Sequence, residues 1–389
     1  MDKAEFETLL PYCLGDQAKK LQAVIDCGGN IAKAAALLGI SDRKFRHSLK
    51  SLRKRAEMQS PHPQLGQPVR PWENIKGTST YYDRDGKPVG QWVKTSANDA
   101  VKQEILAAMV EAMADDLPRM APIPAPRIKA PDLLKLVTLT DCHVGMAAWA
   151  KEGGSDWDLA IAERTLTSAA IAMMDMAPAA DTCVIAELGD WNHYDGHIAK
   201  TPMHQHPLDA AGRPGQMIEA SIRILRRIVD AALKRHKKVV LLIAQGNHDL
   251  QTFKWLRSVM SAAYEREKRL TIINEESPFY AYQHGSVMLA WHHGHTSANE
   301  ALPLLFASKY PAMWGATEYR VAHTGHRHHK HVKEYSGMTV YQHSTLAAPD
   351  NHASSNGYMS HRQAEVLTYH ARFGYIGGQV ITPKMLEAA

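Results

Sequence analysis

Five short segments rich in aspartate, asparagine and histidine constrain the fold more than any other feature of the chain. They are Asp141-Cys142-His143, Gly189-Asp190-Trp191-Asn192-His193, Gly246-Asn247-His248-Asp249, His293-Gly294-His295 and Gly325-His326-Arg327-His328. Each one ends or follows an apolar run that is typical of a strand. Their carboxylates, amide oxygen and imidazoles are the ligands that a pair of hard or borderline divalent cations needs.

The chain from residue 134 onward alternates apolar runs with amphipathic segments, which predicts an α/β (α+β) fold. Buried strands are predicted over residues 135–140, 182–188 and 239–244. Each of them delivers a motif at its carboxyl end, where open α/β sheets place their ligands. Helices are predicted over 159–174, 216–235 and 251–268. Further strands, expected to complete a second sheet, are predicted near Leu270, Val287, Tyr319, Val332, Thr339 and Gly374.

Residues 17–56 are predicted to form three short helices. Gly28 and Gly29 end the first helix, and Gly39 allows a tight turn after the alanine-rich second helix. Ser41 is a good N-cap for the third helix, which has apolar residues at helical spacing at Phe45, Leu49 and Leu52. The arrangement resembles a Fis-like helix-turn-helix, whose last helix recognises DNA.

The third helix is strongly basic, because seven Lys or Arg residues and no acidic residue lie between positions 43 and 55. The net charge of the whole chain is only +5, so it is this local cluster that indicates binding to nucleic acid. Contacts with DNA phosphates are expected from Arg43, Lys44, Arg46, Lys50 and Arg53. A packing or dimerisation module with a solvated basic face is the alternative interpretation.

Two proline-rich connectors, residues 61–71 and 118–131, enclose a region to which the sequence assigns no function. A β-hairpin is predicted there over residues 77–94, with its turn at Asp85-Gly86. A helix is predicted over residues 97–116.

Composition and cysteine usage indicate a soluble cytoplasmic protein without membrane spans. Apolar residues make up 45% of the chain and charged residues 22%, and no apolar stretch approaches the length of a membrane span. The N-terminal residues lack the pattern of a signal peptide. Four scattered cysteines predict a reducing compartment and no disulfide framework.

The order and local spacing of the five motifs resemble the calcineurin-like metallophosphoesterase superfamily. The Gly-Asp-x-x-His form, with no Asp-Arg-Gly after it, is most similar to the DNA-nuclease branch typified by the bacterial SbcD subunit. The resemblance extends from residue 134 to the end of the chain. It implies a two-sheet metallophosphoesterase sandwich flanked by helices, to which the chain adds a small N-terminal all-α helix-turn-helix domain.

The resemblance also implies two metal ions and assigns their ligands. One ion would be held by Asp141, His143, Asp190 and His328, and the other by the bridging Asp190 with Asn247, His293 and His326. Mixed carboxylate and imidazole ligation suits Mn²⁺, with Fe²⁺, Zn²⁺ and Mg²⁺ as alternatives. Short Asp-x-His strings also arise by chance in a chain with 22 histidines, but five motifs in order argue against chance.

A phosphoester site also needs an acid for the leaving oxygen. In the family pattern this is His248, which would pair with His193 or with solvent; an imidazole can donate a proton near neutral pH. His193 lies three residues after Asp190, the aspartate that would bridge the two ions. The alternative is that His193 only lines a pocket wall.

The other histidines near the motifs are expected behind the ligands or on the surface, namely His292, His295, His323, His329 and His331. For His197, His204 and His206, substrate contact and solvent exposure stay open. Cys142 is expected to pack as a small apolar group. The side chain of Arg327 is expected to point away from the metals, with a substrate phosphate as the alternative.

We therefore predict a helix-turn-helix domain over residues 1–58, a lead-in region over 59–130 and a metallophosphoesterase domain over 131–389. The expected activity is metal-dependent hydrolysis of DNA phosphodiesters in phage-type replication, recombination or end processing, with DNA as the partner and a homodimer as one oligomeric state. Two alternatives stay open. One is a phosphatase or small-molecule phosphodiesterase, for example for cyclic nucleotides, and the other is a DNA-binding regulator with a vestigial phosphoesterase fold.

Overall fold

A computed structural model describes residues 6–13, 17–41, 45–46, 48–49, 52, 56, 73–83, 85, 87–97 and 120–387 of the chain. The chain divides into two compact units, Met1–Ala112 and Met113–Ala389. The predicted domain limits at residues 58 and 130 stay predictions. The predicted linker over residues 61–71 lies outside the described residues.

The first unit contains a small helical core. A 3₁₀ turn, Leu10–Tyr12, precedes α1 (Gln17–Asp26) and α2 (Ile31–Leu37). The side chain of Asn30 caps α2 by accepting the Lys33 N–H at 3.0 Å. The described residues of the predicted third helix are helical, and its predicted apolar side chains lie in one buried cluster with those of α1 and α2: Phe45, Leu49 and Leu52.

A β-hairpin follows in the same unit and is longer than predicted. Strands β1 (Glu73–Tyr82) and β2 (Pro88–Ala97) pair antiparallel. Ala97 pairs with Glu73 at the end of the ladder, so the predicted helix does not begin at residue 97. The rest of that predicted helix, residues 98–116, and Gly86 of the predicted turn lie outside the described residues.

The second unit contains the remaining strands and helices that the structure describes. The strands are β3 (Leu133–Leu139), β4 (Thr182–Glu187), β5 (Lys238–Ile243), β6 (Leu270–Ile272), β7 (Tyr280–His284), β8 (Val287–Trp291), β9 (Tyr319–Thr324), β10 (His331–Tyr335), β11 (Met338–Gln342), β12 (Ala364–His370) and β13 (Gly374–Ile381). The helices are α3 (Ala150–Gly153), α4 (Leu159–Met176), α5 (Pro214–Arg235), α6 (Thr252–Ala263), α7 (Leu302–Lys309), α8 (Pro311–Ala316), α9 (Asn351–Ser355) and α10 (Pro383–Glu387). A 3₁₀ turn, Asn299–Ala301, precedes α7.

These strands form two sheets. In the first, the order is β13-β12-β3-β4-β5-β6, and the four strands from β3 to β6 are parallel. In the second, the order is β10-β11-β9-β8-β7. The predicted strands near Leu270 and Gly374 belong to the first sheet, so their assignment to the second sheet is wrong. Leu270 pairs with Val239 of β5, and β13 pairs with β12. Neither β12 nor β7 was predicted from the sequence.

The main core lies between the two sheets. Residues such as Leu136 and Val240 from the first sheet meet Leu289 and Trp291 from the second, and all four are fully buried. The other face of the first sheet is covered by helices, which explains why its central strands are apolar on both faces. Asp158 caps α4 by accepting the Ile161 N–H at 2.7 Å. The predicted two-sheet α/β sandwich flanked by helices is therefore confirmed.

The helices match their predicted positions with one shortened end. α6 stops at Ala263, because the chain turns there to enter β6, whereas residues 251–268 were predicted as helical. None of the described helices is both long and apolar enough to cross a bilayer. The four cysteines are free thiols, and Cys142 is buried, as expected of a small apolar group.

Candidate metal centre

The five motifs meet where strands of the two sheets end. The backbone N–H of Asp141, after β3, donates to the Gly189 carbonyl after β4 at 3.1 Å. The backbone N–H of His143 donates to the Asp190 carbonyl at 3.0 Å. From the second sheet, the ring Nδ1 of His293 donates to the Leu188 carbonyl at 2.8 Å. Segments far apart in sequence are thus joined by hydrogen bonds at one edge of the sandwich.

The backbone at the predicted ligands is strained. Among the described residues, six that are not glycine have a positive φ in the left-handed region. Five of these six are predicted metal ligands, namely Asp141, His143, Asp190, His326 and His328. Such a backbone costs on the order of 1 kcal/mol per residue, and it persists where the surrounding structure requires it, typically at functional sites.

The first ligand cluster contains Asp141, His143 and His328, whose ligand atoms lie within 4.8 Å of one another. The Nε2 atom of His328 is 3.2 Å from Oδ1 of Asp141 and 3.5 Å from Nε2 of His143. Two ring nitrogens and a carboxylate oxygen therefore converge on one point.

The second cluster contains Asp190, His293 and His326 within the same limit. The Nε2 atom of His293 is 3.2 Å from Oδ2 of Asp190 and 3.1 Å from Oδ1 of Asn247. It is also 3.9 Å from Oδ1 of Asp141, which belongs to the first cluster. All seven predicted ligands are thus brought together in two adjoining groups.

A third group joins His143 to the two predicted catalytic histidines, His193 and His248. Nδ1 of His193 lies 3.2 Å from Nδ1 of His143, and Nδ1 of His248 donates to the His193 carbonyl at 2.8 Å. The side chain of His193 is only 1% exposed, so it lies beneath the surface of the site. The catalytic assignment of these two residues stays a prediction.

Opposite charges are held in contact at the centre. Burial alone would raise the pKa of Asp141, but His328 and His293 hold it below the ordinary value. Burial alone would also raise the pKa of Asp190, but His293 and His248 hold that pKa well below the ordinary value. At His293 burial lowers the pKa, but Asp190 and Asp141 outweigh it and raise that pKa to about 10. Protons on imidazoles beside carboxylates are what bound cations would replace, so the donor set fits divalent metal ions.

Sequence reasoning missed a buried carboxylate that holds the ligand loops. Asp249 accepts the backbone N–H groups of Asp190, Trp191, Asn192 and Gly246 at 2.9–3.3 Å. Burial and the nearby charge of Asp190 raise the pKa of Asp249 to about 8. Its position directly after Asn247-His248 is the sequence signal that identifies it.

A second missed carboxylate, Glu187, ends β4. Its Oε1 accepts the Gly189 N–H at 2.7 Å, and its Oε2 is buried without a hydrogen bond from any described residue. Burial and the charge of Asp249 raise the pKa of Glu187 well above the ordinary value. Glu187 thus stabilises the turn that leads into Asp190.

Two glycines allow the motifs to approach one another. A Cβ atom on Gly246 would lie 2.1 Å from Oδ1 of Asp190, and one on Gly325 would lie 1.9 Å from Oγ1 of Thr140. Both distances are far below van der Waals contact. Any side chain at either position would push the ligand loops apart.

An open cleft of about 980 Å³ lies over the clusters. Six of the predicted metal and catalytic residues line it: His143, Asp190, Asn247, His248, His326 and His328. Asp141, His193 and His293 are not among the lining residues. The rest of the wall comes from Arg327 and His329, from the 201–208 loop and from residues 345–362, including Arg362.

Arg327 lines this cleft and also a neighbouring hollow of about 290 Å³. Its exposed guanidinium makes no hydrogen bond or ion pair with any described residue. The side chain of Arg327 was predicted to point away from the metals. In the structure Arg327 lines both the neighbouring hollow and the cleft.

The other histidines divide into core and surface residues. His292 is buried and stacks on Phe279 with ring centroids 4.6 Å apart. His323 is buried and contacts His343 at 3.0 Å, far from solvent. His206 lines the cleft, whereas His197 and His204 are exposed and are not lining residues. His295 is half-buried, and His329 and His331 are exposed.

Of the five predicted DNA contacts, the structure describes one. Arg46 is exposed on the helical N-terminal unit. Arg43, Lys44, Lys50 and Arg53 lie outside the described residues. The DNA-binding assignment stays a prediction.

Comparison with known proteins finds distant structural likeness only. No family model matches the chain, and no curated protein does. Among solved structures, a predicted phosphoesterase from Streptococcus pneumoniae is 11% identical, covering 65% of this chain and 99% of its own, with a TM-score of 0.26. Zinc-complexed Vps29 from Entamoeba histolytica is 12% identical. The match covers 64% of this chain and 98% of that chain, with a TM-score of 0.26. An archaeal phosphodiesterase is 12% identical. The match covers 64% of this chain and 99% of that chain, with a TM-score of 0.31. These values do not place the chain in a family, and the site rests on its own geometry.

Proposed function

We propose that this protein is a metal-dependent phosphodiesterase that acts on DNA. The observation that carries the proposal is the pair of adjoining ligand clusters, built on strained backbone and opening into a wide cleft. Two bound divalent ions would polarise a phosphate ester and supply an activated water as the nucleophile. The ligands of one ion would be Asp141, His143, Asp190 and His328; those of the other, Asp190, Asn247, His293 and His326.

His248 is proposed to protonate the leaving oxygen. Its Nδ1 is engaged by the His193 carbonyl, which orients the ring and leaves Nε2 for the cleft. Because Nδ1 keeps its proton for that carbonyl, Nε2 carries a second proton in the imidazolium form, which can pass to the oxygen of the departing strand and leave a neutral ring. His248 and His143 are in edge contact, with ring centroids 4.8 Å apart.

His193 is proposed as a positioning residue. The buried ring contacts His143, and the backbone carbonyl holds His248. Because the side chain does not line the cleft, it acts on the substrate only through these two neighbours.

The charge of the cleft favours an anionic substrate. Outside the ligands, the lining residues include Arg327, Arg362 and several imidazoles against a single carboxylate, Asp350. Such a surface is suited to the phosphates of nucleic acid.

The N-terminal unit is proposed to bind DNA and to bring the substrate to the catalytic domain. A role in phage-type replication, recombination or end processing, the use of Mn²⁺, and a homodimer are parts of the same proposal. The basic sequence between positions 43 and 55 supports DNA contact.

The proposal is tested by hydrolysis of end-labelled single- and double-stranded DNA by EDTA-treated protein with added Mn²⁺. A cyclic nucleotide and an aryl phosphodiester are measured in parallel. We expect cleavage of DNA and of the aryl ester, and none in EDTA. Turnover of the cyclic nucleotide with intact DNA would establish a small-molecule phosphodiesterase instead. DNA binding without any hydrolysis would establish a regulator with a vestigial site.

A further inference from the structure

We propose that Tyr358 is a stacking platform for an unpaired nucleobase next to the phosphodiester that is cleaved. The inference rests on the proposed function and adds a specificity-determining residue to it. Tyr358 lines the same cleft as His248 and His328. The residue is 62% exposed, which leaves a planar apolar surface open to the cleft.

The backbone that presents Tyr358 is fixed. Helix α9 ends in a pair of backbone hydrogen bonds, from Gly357 to the Ser354 carbonyl at 3.2 Å and from Tyr358 to the Ala353 carbonyl at 2.9 Å. Gly357 has a φ of +70°, as this type of helix end requires. In such an end the residue at the position of Tyr358 usually packs against the helix. Here most of its side chain stays accessible.

The base of the platform is also anchored. The side chain of Asp350 caps the start of α9 by accepting the Ala353 N–H at 2.8 Å. Helix α3 packs so closely against this segment that a Cβ on Gly153 would lie 2.5 Å from the Pro349 carbonyl. A ring held on such a backbone loses little conformational entropy when a ligand stacks on it.

One other ring contacts Tyr358 within the described part of the chain. The imidazole of His352 lies with its centroid 6.1 Å away, at an interplanar angle of 63°. An adjacent side chain, Met359, is 92% exposed and adds an adaptable apolar surface. An aromatic face with a polarizable neighbour suits a nucleobase of any sequence.

Cations on the same cleft suit the phosphates that flank such a base. Arg362 is held by hydrogen bonds to the Leu346 carbonyl and by its position over the Trp157 ring, 5.4 Å from the centroid. Arg327 has no partner among the described residues and faces the cleft. Because a paired base has both faces stacked within the duplex, the platform predicts a preference for single strands or frayed ends.

The test uses single-stranded oligonucleotides in which one nucleoside at a time is replaced by an abasic tetrahydrofuran. With wild-type protein and Mn²⁺, we expect one abasic position to lower kcat/KM about tenfold or more. Tyr358→Ala should show the same loss on the intact oligonucleotide and no further loss from that abasic position. Tyr358→Phe should behave as wild type. Phe373→Ala is the matched control, because Phe373 is 56% exposed and does not line the cleft.

A binding measurement separates this inference from the proposed function. 2-Aminopurine at the same position should lose fluorescence on binding to EDTA-treated wild-type protein, but not to Tyr358→Ala. Quenching without any hydrolysis would retain the platform and overturn the nuclease proposal. Hydrolysis in which Tyr358→Ala and the abasic substitution lower kcat/KM independently, so that their effects multiply, would overturn the platform and retain the nuclease.

Discussion

At the scale of single residues, the backbone at the ligands is as informative as their side chains. The positive φ angles of Asp141, Asp190 and His328 turn the chain sharply where each strand ends. These turns bring ligand atoms from distant segments within a few ångströms of each other. The sequence motifs predict the ligands, but the strain that supports their interpretation as a site is visible only in the folded chain.

The bridging role proposed for Asp190 predicts that Asp190→Asn lowers turnover by at least about a thousandfold, because a neutral amide would not hold two cations together. Metal content and Mn²⁺-dependent hydrolysis of an aryl phosphodiester are the measurements. Asp175→Asn is the control, since this exposed carboxylate pairs with Arg235 on the helical surface. Retention of most of the activity by Asp190→Asn would refute the dinuclear site.

His248→Ala is expected to keep its metal ions and to lose hydrolysis by a factor of about 10²–10⁴, as removal of a general acid does. The loss should be smaller for a nitrophenyl ester, whose leaving group needs no proton, than for DNA. His293→Ala should instead lose metal, because its ring contacts Asp190 and Asn247. If His248→Ala loses metal and His293→Ala does not, the two roles are reversed.

At the scale of secondary structure, the apolar strands of the first sheet were predicted well, whereas β12 was missed and β6 and β13 were assigned to the wrong sheet. The strands β3, β4 and β5 are continuous apolar runs because both of their faces are covered. The short strand β6 was assigned to the wrong sheet. Its three residues carry no pattern that selects a partner, and pairing with β5 is a long-range choice.

The end of α5 carries a histidine that should make the fold sensitive to acid. His236 is buried, its Nδ1 donates to the Ala232 carbonyl at 2.9 Å, and its Nε2 has no hydrogen-bond partner among the described residues. Burial lowers the pKa of His236 to about 4, while the positive charges of Lys135 and Arg235 act in the same direction.

Since the folded pKa of His236 lies below the unfolded value near 6.5, the unfolded chain binds the proton first as pH falls. The free energy of unfolding should therefore decrease from about pH 6.5 downward, by about 2 kcal/mol between pH 7 and pH 5 from this group. His236→Asn should lose that part of the decrease in urea unfolding with EDTA present. His204→Asn, at an exposed position, is the control. An unchanged pH dependence in His236→Asn would contradict the assignment.

At the scale of the whole molecule, the basic N-terminal sequence and the proposed catalytic domain have separable expected effects. Removing residues 1–60 should leave hydrolysis of an aryl phosphodiester nearly unchanged and weaken DNA binding. The seven cations between positions 43 and 55 release counterions when they contact phosphates, so binding by the full chain should fall more steeply with salt. Equal salt slopes for the two forms would make the N-terminal unit a packing or dimerisation module.

The sequence by itself determined the ligand types, the strand-end positions of the motifs and the α/β class, because these depend on local periodicity and residue chemistry. Only the tertiary structure decided the pairing of β6, β12 and β13, the burial of His193, and the burial of the carboxylates Glu187 and Asp249. It also decided that Tyr358 faces the cleft. These features arise from contacts between segments far apart in the chain, and no local pattern of side chains encodes such contacts.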